Sequence, residues 1–93
     1  MEHNEYHKQR LKGADQIAEK AHQLARKGGI SLESCVWDHG REIVDRDKHT
    51  LAISSGGKTA RGEFPDEWLA DYPGKVGTEK ADAVLREMIR SVL

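Results

Sequence analysis

Two stretches that alternate in polarity meet at Ser54-Ser55-Gly56-Gly57, and the hairpin they imply cannot stand alone. From His49 to Ser54, Leu51 and Ile53 share one face, with Thr50 and Ala52 on the other. Beyond the glycine turn, Lys58 to Phe64 returns with Ala60, Gly62 and Phe64 on the core side. Gly62 within that strand marks a bulge or a close packing approach. An isolated two-stranded hairpin is marginal in water, so this one must be covered by helices, joined by a third strand, or paired across a dimer interface.

The cover is supplied by segments at either end. Between Tyr6 and Lys27, side chains at Leu11, Ala14, Ile17, Ala18, Ala21, Leu24 and Ala25 fall within roughly 140° of a helix circumference. Arg10 lies inside that apolar arc, and Gly13 costs the helix about 1 kcal/mol relative to alanine. Residues 1–10 are therefore expected to be a polar, frayed terminus and 11–93 a single small domain. Lys27-Gly28-Gly29 stops the helix. Thr78 is the expected N-cap of a final helix to Leu93, with Ala81, Val84, Leu85, Met88, Ile89 and Val92 as its apolar stripe. Between hairpin and final helix, Pro65-Asp66 opens a short helix that Pro73-Gly74 closes.

Ile30 to Asp47 supports two readings. As a helix it gathers Leu32, Cys35, Val36, His39, Gly40 and Ile43 in one arc; as strands, Ser34 to Trp37 and Arg41 to Arg46 flank an Asp38-His39-Gly40 turn. Alternation there is poor, so the helix is preferred and the expected fold is α+β in the order ααββαα. The extended reading gives αβββαα with a three-stranded antiparallel meander. That second order is similar in topology alone to double-stranded-RNA-binding modules. No matching motif accompanies it, because the final helix begins Thr78-Glu79-Lys80 where such modules carry a basic cluster.

Charge excludes more than it identifies. Fifteen Lys and Arg against sixteen Asp and Glu give a net charge of -1, without the overall positive field that phosphate-backbone binding uses. The one cysteine cannot form an internal disulfide, and the polar first ten residues lack the apolar core of a signal peptide, so a reducing, cytoplasmic setting is expected. No apolar run approaches the ~20 residues that span a bilayer.

Candidate chemistry is sparse. Ser55-Gly56-Gly57-Lys58-Thr59 resembles a phosphate loop locally, but Ala52 stands where the first glycine is required, and a hairpin turn explains the segment. Cys35 and His39 would be neighbours on a helix and form a reactive thiol pair, against the plainer reading of two residues on an apolar face. His3 and His7 share that spacing without the third and fourth ligands of a tight metal site. The carboxylates around Asp66 and Glu67 read as helix N-terminal charges. No metal or other cofactor is implied.

Phe64, Trp68 and Tyr72 place three of the five aromatics at successive spacings of four. They either anchor a short helix over the hairpin or form a partner-binding patch. The expected function is a small non-enzymatic domain for protein-protein interaction or regulation, with a homodimer or an unidentified protein as partner. The alternatives are nucleic-acid binding through Lys8, Lys12, Lys20, Arg26 and Lys27 on the first helix, and a Cys35-dependent enzyme or redox site with His39.

Overall fold

The glycine pair turns the chain as the alternation requires. Gly56 and Gly57 have φ of 57° and 81°, the left-handed pair of a two-residue turn whose twist suits antiparallel strands. The computed structural model describes residues 2–93, with side chains from Glu5 onward; His3 lies outside the described side chains. Helix α1 (Glu2–Lys27) is followed by strand β1 (Ser34–Trp37), a tight turn at Asp38–Gly40, strands β2 (Lys48–Ser55) and β3 (Lys58–Pro65), helix α2 (Asp66–Asp71), a second tight turn at Tyr72–Gly74, and helix α3 (Thr78–Val92). The sheet order is β1-β2-β3, an antiparallel meander.

The chain is α+β and takes the second of the two orders, αβββαα. The helix preferred over Ile30 to Asp47, and with it ααββαα, is corrected. Ser34–Trp37 is extended and pairs with β2, placing Cys35 opposite Ile53 and Trp37 opposite Leu51. Asp38, His39 and Gly40 then all have positive φ, at 48°, 60° and 83°, which an α-helix excludes. Residues 41–47 form neither helix nor strand. Pairing with β2 overrides an apolar arc that the segment possesses only by coincidence. The indole of Trp37 adds a tertiary anchor by donating to the Ala14 carbonyl of α1 at 3.0 Å.

Alternation along β2 buries His49, Leu51, Ile53 and Ser55 on the helical side and leaves Thr50, Ala52 and Ser54 half-exposed on the other. Ile17, Ala21 and Ala25 of α1 join Leu51, Ile53, Phe64, Leu69, Leu85 and Ile89 in one buried cluster. The opposite face of the sheet has no helix over it among the described residues. Thr78 is the first residue of α3 rather than its cap: Gly77 takes that position in a left-handed conformation, with no side-chain capping bond.

Close approaches explain two glycines. A Cβ at Gly62 would lie 2.5 Å from Met88 Sδ and 2.9 Å from Val84 Cγ1, so the strand glycine seats α3 on β3, the close approach expected there. A Cβ at Gly13 would collide with the backbone carbonyl of Leu69 in α2, so the glycine that weakens α1 locally is what lets the two helices meet.

Candidate functional site

Parity along β2 puts His49 on the same inward face as Leu51 and Ile53, and the residue is 1% exposed. A buried polar ring needs partners. Nδ1 lies 2.8 Å from Asp38 Oδ2, and Nε2 lies 2.7 Å from Asp66 Oδ1. Asp38 also accepts the Thr50 amide at 2.9 Å. Asp66 accepts the Arg10 Nε at 2.6 Å on Oδ1 and Arg10 Nη2 at 3.1 Å on Oδ2, where Tyr6 also donates at 3.1 Å. Arg10, 4% exposed, further donates to His7 Nδ1 at 2.9 Å and to the exposed Asp45 at 3.3 Å, and lies 4.8 Å from the Tyr6 ring centroid.

Both aspartates are held ionised. Burial alone pushes the Asp38 carboxyl up, but the hydrogen bonds from His49 and the Thr50 amide, with the charges of His49 and Arg46, outweigh it and keep Asp38 below the usual carboxylate range. Asp66 is likewise pushed up by burial and brought below that range by hydrogen bonds from Arg10, His49 and Tyr6 and by the Arg10 charge. Each ring nitrogen of His49 faces one of these carboxylates, and no buried side-chain nitrogen or oxygen of the described residues lacks a partner.

That completeness decides the chemistry. A general base needs a free lone pair within reach of a substrate, and a nucleophile needs exposure. Here His49 is enclosed with each ring nitrogen against a carboxylate, while each oxygen of Asp66 has two partners. A shallow depression of about 300 Å³ over Asp66, lined by Tyr6, Asp45, Arg46, Asp47, Pro65 and Glu67, reaches only the rim of the cluster. The cluster is a clamp that joins α1, the Asp38 turn, β2 and α2.

Its pH dependence follows from the signs. A carboxyl whose folded pKa lies below its unfolded value contributes stability above the unfolded value, ordinarily about 4, and loses it as pH falls through the folded value. Unfolding free energy is therefore expected to drop steeply below about pH 4, and Asp38→Asn to flatten that drop. Urea titrations between pH 3 and 6 measure both slopes; equal slopes for the two proteins would remove Asp38 from the account.

Phe64 is fully buried, edge-on to Trp37 at 5.3 Å and to Trp68 at 6.1 Å between ring centroids. Trp68 and Tyr72 are half-buried, and the Tyr72 hydroxyl donates to Asp82 at 2.7 Å. Burial, aided by that hydrogen bond and the Asp82 charge, pushes the Tyr72 phenol well above its ordinary value. Cys35 and His39 are not brought together on a helical face: one lies on β1 and the other is exposed in the turn that follows. Burial raises the Cys35 thiol, the opposite of activation.

Lys8, Lys12, Arg26 and Lys27 are exposed along α1, with Lys8 at 4.0 Å from Glu5 and Arg26 at 3.5 Å from Glu19. Lys20 is half-buried in a groove of about 420 Å³ that it shares with Glu19, Gln23, Tyr72 and Asp82. These five cations do not converge on one concave surface. Among the described residues, no group of three or more His, Cys, Asp or Glu side chains is arranged to hold a metal ion, and no helix is long and apolar enough to cross a membrane.

The structure also exposes a surface of another kind. Strand β3 bonds to β2 along one side only, and its other side is a sheet edge eight residues long. Beside it, the strand at Thr59, Ala60 and Arg61 and the α3 residues Val84, Glu87, Met88 and Ser91 line a groove of about 240 Å³. The edge at β1 is half as long, four residues, and ends in the Asp38 turn. No family model, curated protein or solved structure matches this chain.

Proposed function

We propose that this chain is a small non-enzymatic domain for protein-protein interaction, and that it docks its partner by adding an extended segment to the free edge of β3. The observation that carries this reading is the unpaired side of an eight-residue strand. Exposed backbone donors and acceptors along a strand form a ready template for another strand, and folded proteins usually shorten, bulge or cover such edges. β1 follows that rule; β3 does not. The closed hydrogen bonding of the buried cluster supports a structural role for the charges, which leaves the surface to carry the function.

A photo-crosslinking side chain placed at Thr59, on the edge, is compared in cells with one at Lys12, exposed on α1. Covalent adducts to polypeptide are expected from position 59 and not from position 12. Adducts only from position 12, equal yields at both, or none from position 59 would each overturn edge docking.

A further inference from the structure

The occupant of the β3 edge can be read from its charges, granted that the edge is the docking element. In a two-residue hairpin the residues flanking the turn, Ser55 and Lys58, form the closing hydrogen-bonded pair, and pairs of that kind recur at every second position. Lys58, Ala60, Gly62 and Phe64 therefore direct their backbone groups to β2. Thr59, Arg61 and Glu63 direct theirs outward, and among the described residues no backbone bond outside the helices and strands involves them; Pro65, the N-cap of α2, has no N–H, and its carbonyl accepts the first bond of that helix. The side chains of Thr59, Arg61 and Glu63 are exposed on the face away from the helices.

We infer that the partner is a second copy of this chain, paired antiparallel through β3 about a two-fold axis at Gly62. An axis perpendicular to the sheet keeps both helical layers on one side and yields a continuous six-stranded sheet. Hydrogen-bonding parity requires an outward-directed residue to face another outward-directed residue. Three central registers satisfy it. An axis at Arg61 sets Arg61 against itself, and an axis at Glu63 sets Glu63 against itself; like charges directly opposite are destabilising. An axis at Gly62 instead sets Arg61 of each copy against Glu63 of the other, twice over.

In that register the amides and carbonyls of Arg61 and Glu63 bond reciprocally between copies. Pro65, opposite Thr59 of the second copy, has no N–H and its carbonyl opens α2, so the ladder ends there. Charged side chains on an edge commonly protect it from indiscriminate pairing. Here opposite signs two residues apart leave one self-complementary register open. Within each copy, Glu63 lies 3.8 Å from Lys48 of β2, an exposed pair that adds a second cation on its other flank. With a net charge of -1, long-range repulsion between copies is slight.

Sedimentation equilibrium of the full chain tests the assignment with two exposed charge reversals, Arg61→Glu and Glu63→Arg. Wild type is expected to dimerise, and each variant alone to dimerise roughly tenfold or more weakly, because two attractive pairs become repulsive. An equimolar mixture of the two variants is expected to recover the dimer as a heterodimer. The Arg61→Glu chain is acidic at both edge positions and the Glu63→Arg chain basic at both, so each cross-strand pair between them is again attractive. Circular dichroism checks that both variants stay folded. A monomeric wild type whose crosslinks still concentrate at position 59 would overturn self-pairing and leave edge docking standing. A dimer indifferent to both reversals, with freely exchanging amides at Thr59, Arg61 and Glu63, would overturn both.

Discussion

Replacing Arg10 with methionine is expected to cost about 3–5 kcal/mol, the range for removing one member of a buried ion pair. Methionine keeps much of the aliphatic bulk on α1 and a high helix propensity, so the loss isolates the guanidinium. That group gives Asp66 two of its hydrogen bonds, at 2.6 and 3.1 Å, in a site where the arginine side chain is 4% exposed and the aspartate 13%. Without it, a mostly enclosed carboxylate keeps only His49 and the exposed Tyr6 as side-chain donors. A domain of 93 residues has a total stability of roughly 5–14 kcal/mol, so this one substitution removes a large share. Urea unfolding followed by circular dichroism measures it, with Lys12→Met on the exposed side of α1 expected within about 0.5 kcal/mol of wild type. A loss below about 1 kcal/mol for Arg10→Met would mean that water replaces the guanidinium, and that the cluster is wetter than its geometry implies.

Arg10 also shows how much of the molecule its chain reveals. Positions governed by local periodicity are legible: Leu51 and Ile53 inward on β2, Ala81 and Leu85 on α3, Phe64 inward on β3. An arginine inside the apolar arc of α1 is a visible anomaly, and the parity that buries Leu51 buries His49 as well. Each signal announces a buried polar side chain without naming its partner. The partners are Asp66, 56 residues beyond Arg10, and Asp38, in a turn 11 residues before His49. Asp66 has a sufficient local explanation at the start of α2, which conceals its tertiary role. The Ile30 to Asp47 segment misleads for a related reason: helix and strand patterns are nearly balanced there, and the balance is tipped by β2 and by the bond from Trp37 to Ala14. The β3 edge is different again, since an unpaired strand side is a property of the sheet order and has no signature in the strand itself.

Gly13→Ala tests the same principle from the opposite direction, because local and tertiary terms have opposite signs. In an isolated helix the change stabilises by about 1 kcal/mol. In the folded protein the added methyl meets the Leu69 backbone, with the carbonyl carbon at 2.6 Å and the Cα at 3.1 Å. A flexible side chain could swing away; a carbonyl in a six-residue helix cannot move without α2. Displacing α2 also draws Asp66 from Arg10 and His49, so the collision spreads into the charged clamp. Overpacking costs about 1–3 kcal/mol and occasionally more, and this contact belongs at the upper end. The net expectation is a destabilisation of about 2 kcal/mol or more, measured as a shift of the urea midpoint at unchanged slope. Gly62→Ala is the informative comparison, since its tightest neighbours are the side chains of Met88 and Val84 and the thioether can repack. It should cost about 1 kcal/mol. If Gly13→Ala instead stabilised the protein, helix propensity would outweigh the packing of α1 on α2, and the close approach at Gly13 would be loose enough to yield.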